Sequence, residues 1–119
     1  MNRFSLPILG SLAMLLLHGP VVWADEDPRL APLQRLGQLN GTALACRRFD
    51  QSTRIKRILI DHLPKKRELG QIFEETTNQS FLRFVNHADP CPSPATLEQA
   101  VSEAEAALIQ AWDPQADRP

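Results

Sequence analysis

No stretch of this 119-residue chain alternates apolar and polar residues for long enough to make a strand. That absence excludes sandwiches, barrels and parallel-sheet folds, and leaves an all-α fold. Catalytic signatures are missing too. There is no serine–histidine–acid motif, no glycine-rich phosphate loop and no haem attachment sequence. The remaining acid–base candidates are thin. Glu74 and Glu75 are adjacent on a helix and diverge around its axis. His62, beside Asp61 and near Glu68, sits on an apolar helix face and reads as a packed histidine. Neither an enzyme nor a cofactor is expected. The net charge of −1 provides no overall basic field, and nucleic acid is not expected as a partner.

Cysteine is scarce, with only Cys46 and Cys91. The N-terminus explains why two suffice. Arg3 precedes an apolar run from Leu6 to Leu17, Gly19 and Pro20 break it, and Val22-Trp23-Ala24 places small residues where a signal peptidase cuts. Residues 1–24 read as a cleaved signal peptide, and residues 25–119 as one small mature domain without a membrane span. An uncleaved anchor is the competing reading, but the run is short for a spanning helix. The residue immediately after the cut is Asp25 and not cysteine, so lipid attachment there is not expected. Export implies an oxidising compartment, periplasmic or secreted, and a disulfide between Cys46 and Cys91.

What the mature sequence does contain is helical periodicity. Four helices are expected, over about residues 29–48, 52–63, 65–86 and 93–112. Asp50, Ser52 and Thr53 separate the first two as capping residues. Pro64 closes the second and opens the third. The third should run through Thr76–Ser80 despite poor propensity there. The fourth starts either with Ser93 as cap and Pro94 in the first turn, or with a Thr96/Gln99 capping box. These elements make a four-helix bundle.

Small residues recur on the first helix at Gly37, Gly41 and Ala45, and on the fourth at Ala100 and Ala104. Each glycine costs a helix about 1 kcal/mol against alanine. Close approach of a second helix would offset this. A Cys46–Cys91 bond would make the first and fourth helices antiparallel neighbours, so the alanine stripe is the expected partner of the glycines.

Charge is uneven. Basic residues crowd Arg47–Arg67, and acids dominate after Asp89. Arg54, Arg57, Lys65, Lys66 and Arg67 form a candidate surface for a phospholipid headgroup, a polyanion or an acidic protein. The alternative is a solvated face neutralised by the last helix. His87-x-Asp89-x-Cys91 would offer metal ligands only if reduced, so a metal protein using His87 and Asp89 is a distant alternative. Asn40-Gly41-Thr42 and Asn78-Gln79-Ser80 match the N-glycosylation acceptor pattern inside expected helices.

An export signal, a short helical mature chain and two cysteines about forty-five apart resemble the layout of small periplasmic acid-stress chaperones of the HdeA type. That resemblance implies a protein that loosens in acid and exposes apolar surface. The leading expectation from the residues is different: a non-enzymatic accessory protein of the periplasm. It would bind an unidentified protein or anionic surface through the basic segment and the exposed face of the third helix.

Overall fold

The computed structural model describes residues 27–115, and the expected signal peptide lies outside them. Four helices follow in order: α1 (Leu30–Ala45), α2 (Phe49–His62), α3 (Arg67–His87) and α4 (Pro94–Ala111). No strand occurs among the described residues. Helix α1 is the hub. It packs against α2, α3 and α4, while α2 also meets α4, and the backbone of α3 comes close to neither α2 nor α4.

The helix ends follow from backbone chemistry. Helix α1 stops at Ala45, earlier than expected, because Arg47 adopts a left-handed conformation at φ 60°. Arg48 N–H then bonds back to the Ala43 carbonyl at 2.7 Å, and Arg47 N–H to that of Leu44 at 3.3 Å. This pair of bonds satisfies carbonyls that the helix end would orphan. Helix α2 therefore begins at Phe49, ahead of the residues expected to cap it. Asp50 lies in its first turn, where the dipole favours a carboxylate. Helix α3 runs unbroken through Thr76–Ser80. For α4, the first of the two starts is the one adopted. Ser93 Oγ accepts from Thr96 N–H at 3.1 Å, and Pro94 takes the first turn.

The core is small and centred on α1. Leu33, Leu36, Leu39 and Ala43 meet Ile55 and Ile58 of α2, Leu69 of α3, and Leu97, Val101, Ala104 and Leu108 of α4. Ala100 packs against this cluster from its edge. One residue expected to be packed faces solvent instead: His62 is exposed at the last position of α2.

Helices α1 and α4 are antiparallel and tied at both ends. Cys46, the C-cap of α1, bonds to Cys91 just before α4, with Cα atoms 5.8 Å apart. At the other end Trp112 Nε1–H donates to the Arg29 carbonyl at 3.0 Å, and the Arg29 guanidinium stacks 4.4 Å from the Trp112 ring centre. Closing a loop of 45 residues removes enough freedom from the unfolded chain to stabilise the fold by about 4 kcal/mol.

The glycines do make a close helix contact, but not with the alanine stripe. They face α3. A Cβ on Gly37 would collide with Thr76 Oγ1, and one on Gly41 would sit 2.5 Å from the Thr77 carbonyl oxygen and 2.7 Å from Phe81 N. Contacts advance together along both chains, so α1 and α3 run parallel. The cause of the corrected pairing is chemical as well as steric. Ser80 Oγ–H donates to the Gln38 carbonyl at 2.8 Å, and Asn40 Nδ2–H to Thr77 Oγ1 at 3.2 Å. The small hydroxyl-bearing residues of α3 fit over glycine and bond across the seam, which alanine cannot do.

Gly70 is the internal control, because a Cβ there meets nothing within 4 Å. Gly41→Ala should destabilise the protein by several kcal/mol, since the obstructing atoms are backbone. Gly70→Ala should stabilise it by about 0.5–1 kcal/mol. Urea denaturation of both variants checks the pair of signs.

Candidate interaction site

Because α2 and α3 both lean on α1 with their backbones held apart, a trough of about 870 Å³ lies open between them. Asn40 and Leu44 of α1 form its floor. Leu59 and Ile60 line one wall, and Phe73, Thr77 and Phe81 the other. Ile60 is 65% exposed, a large apolar side chain presented to solvent along the wall. A second hollow of about 250 Å³ shares Leu59, Ile60 and Phe73, and extends the trough to Leu63, Lys65, Lys66 and Gly70 at the α2–α3 turn.

The rims carry opposite charges. Lys56 stands on the α2 side, with Lys65 and Lys66 at the end; Glu74 and Glu75 stand on the α3 side. All five are exposed, and none makes a salt bridge among the described residues. Charges so placed are solvated now and available to a partner.

Asn40 sets the geometry of the floor. It is 2% exposed, accepts from Ser52 Oγ–H of α2 at 2.7 Å and donates to Thr77 of α3 at 3.2 Å. One buried amide thus joins the helix at the base of the trough to both walls. Ser52, expected as a capping residue, is itself buried and committed to this bridge. Of the two glycosylation patterns, the one at Asn40 has its amide sealed inside the fold. Asn78 is exposed beside the trough.

The basic segment divides. Arg54 is turned onto α4, where Nη2 donates to Ser102 Oγ at 2.9 Å and pairs with Glu105 at 3.1 Å. It is a structural tie, in line with neutralisation by the acidic last helix. Arg57, Lys65, Lys66 and Arg67 are exposed, and their side chains have no hydrogen-bond or ion-pair partner among the described residues. Lys65 and Lys66 close the end of the trough, whereas Arg57 and Arg67 stand outside its lining.

The metal alternative loses its thiolate, because Cys91 is bonded to Cys46. Among the described residues no three His, Cys, Asp or Glu side chains gather where they could hold an ion. No described helix is long and apolar enough to cross a membrane.

Lys56, Leu44, Ile60 and Phe81 line the trough although none was among the expected binding residues. One signal was present: Ile60 follows the apolar stripe of α2 but lies off it. An isoleucine on the charged side of an amphipathic helix marks a second apolar face. No family model, curated protein or solved structure matches this chain.

Asn40→Ala should cost about 2–3 kcal/mol, because it removes two bonds and leaves the buried Ser52 hydroxyl without its partner. Thermal melts of Asn40→Ala and Ser52→Ala check this, with the second variant losing less.

Proposed function

We propose that this chain is a small exported accessory protein without catalytic activity, which binds a protein partner through the face shared by α2 and α3. The observation that carries the reading is the open apolar trough with unpaired Lys65 and Lys66 at its end. Leaving Ile60 uncovered forgoes most of the roughly 1.5–3 kcal/mol that full burial of such a side chain brings. A partner that covers it recovers that term, and the lysines add steering by charge. The disulfide supports an oxidising location, since such bonds persist outside the reducing cytosol.

The test is affinity capture from the native periplasm with four forms of the protein. The parent and Ile109→Asp, altered on α4 away from the trough, should retain the same partner. Ile60→Asp and the combined reversal Lys65→Glu, Lys66→Glu, Arg67→Glu should lose it. Equal recovery with all four would remove the α2–α3 face from the reading.

An acid-loosened chaperone is the alternative, and one observation favours it. Carboxylates hold the edges of the bundle. Asp27 accepts from the Arg29 side chain and backbone N–H, at 2.8–3.1 Å. First the side-chain bonds, then the backbone bond, hold its carboxyl below its ordinary value of 3.8. A carboxylate depressed in this way adds stability above its ordinary pKa, and that stability is lost as pH falls through the lowered value. Glu105 pairs with Arg54 between α2 and α4. The seam between α1 and α3, by contrast, is held by glycine packing and bonds between neutral groups. Acid below about pH 4 should therefore loosen the Arg29–Trp112 end while α3 stays docked. Trp112 emission, read in the mature chain of residues 25–119, should shift to the red in that range. A chaperone would also suppress aggregation of a client protein there. A protein that protects no client at low pH is not a chaperone.

A further inference from the structure

We propose that the occupant of the α2–α3 trough is an amphipathic helix of a protein partner, about three turns long, with one acidic and one basic flank. This rests on the reading of the α2–α3 face as an interaction surface, and names the chemistry of what binds there.

The polarity of the lining selects a helix over an extended segment. A strand laid in the trough would bring its backbone N–H and C=O groups against Leu44, Leu59, Ile60, Phe73 and Phe81. Asn40 and Thr77, polar groups of the lining, are already bonded to each other. Unpaired backbone groups buried there would be costly, whereas a helix satisfies its own. The dimensions agree. From Gly70 to Phe81 the α3 wall rises about 16 Å at 1.5 Å per residue, the length of three helical turns.

The rims select the flanks. Lys56 on the α2 side calls for acids, and Glu74 and Glu75 on the α3 side call for bases. Turning a helix end for end exchanges its flanks, so the rim charges also fix its direction. Lys65 and Lys66 at the α2–α3 turn favour the negative, C-terminal end of the incoming helix. The partner helix therefore runs antiparallel to α3. A second copy of this chain does not fit the description. The exposed large hydrophobics among the described residues are Phe49, Ile60, Leu82, Val85 and Ile109. No helix here carries more than two of them, and a three-turn apolar stripe needs more.

The experiment uses three fluorescein-labelled, stapled 14-residue helical peptides with a common leucine stripe at three- and four-residue spacing. One has an acidic and a basic flank, one has two acidic flanks and one has two basic flanks. Fluorescence anisotropy with the purified protein should show the mixed peptide binding about tenfold tighter than either other. In Glu74→Lys/Glu75→Lys the preference should pass to the all-acidic peptide. Ile60→Asp should weaken every peptide at least tenfold. These three positions are exposed, and unchanged thermal melts confirm that the variants fold. The proposal is overturned by equal affinity for all three peptides, by a preference that ignores the charge reversal, or by binding that ignores Ile60→Asp. Displacement of the mixed peptide by stoichiometric palmitate would make the trough a lipid site, and a dimer dispersed by Ile60→Asp would make it a self-association surface; either overturns it. If the peptides fail while native capture still depends on Ile60, the helix assignment falls and the interaction reading stands. If capture is also indifferent to Ile60, both fall.

Discussion

The close approach of α1 and α3 is the constraint on which the other arrangements depend. Two glycines on α1 remove the side chains that would hold the axes apart, and Thr76, Thr77 and Ser80 occupy the space. A helix drawn this near to the hub on one side has its position fixed without help from other neighbours. The backbone of α3 accordingly comes close to neither α2 nor α4. The trough is the geometric remainder of that choice. A more even bundle, with α3 nestled between α1 and α2, would have closed it.

The remaining ties hold what the glycine seam leaves free. The disulfide anchors the loop between α3 and α4 to the end of α1, so the unsupported end of α3 cannot travel far from the hub. Trp112 closes the opposite end of the α1–α4 pair through its ring and its N–H. Arg54 binds α2 to α4 on the side away from α3. A half-exposed pair of this kind is worth at most about 1 kcal/mol, so its part is chiefly to orient. Asn40 does more, because it is buried and bonded on both sides of α1. A buried amide with both functions satisfied disfavours other registers, in which its partners would be stranded.

The helical class was legible because four amphipathic segments show a period of three to four and no segment shows a period of two. The disulfide was legible because two cysteines, if the chain is exported as expected, have a single pairing within it. The partner of the glycines was not. Glycine and alanine stripes look complementary when size alone is considered, and the disulfide does bring α1 and α4 together. The real complement was the stretch Thr76–Ser80, which reads locally as poor helix former. Its hydroxyls gain value only when another helix brings a carbonyl or an amide into reach, as Gln38 and Asn40 do. That is a tertiary property, and propensity cannot report it. Arg54 was misplaced for a related reason. Charge runs show where cations are, and the acid on a distant helix decides which of them remain open. The trough was legible only through Ile60, because a cavity between two helices depends on their separation, which no sequence period encodes.

The faces that hold the fold together are therefore distinct from the face proposed for recognition. Helix α3 turns Thr76 and Ser80 toward α1 and holds Phe73 and Phe81 along the trough. Helix α2 buries Ile55 and Ile58 in the core and leaves Ile60 outside it. An inward substitution alters the folded population, whereas an outward one alters only the surface offered to a partner. The separation has a physical origin in the hub arrangement. Because α1 alone holds α3, while α2 and α4 also lean on each other, α3 need not spend its second face on another helix. That spare face is what a chain with so small a core can devote to binding, and the unpaired lysines and glutamates along it give such a face a direction.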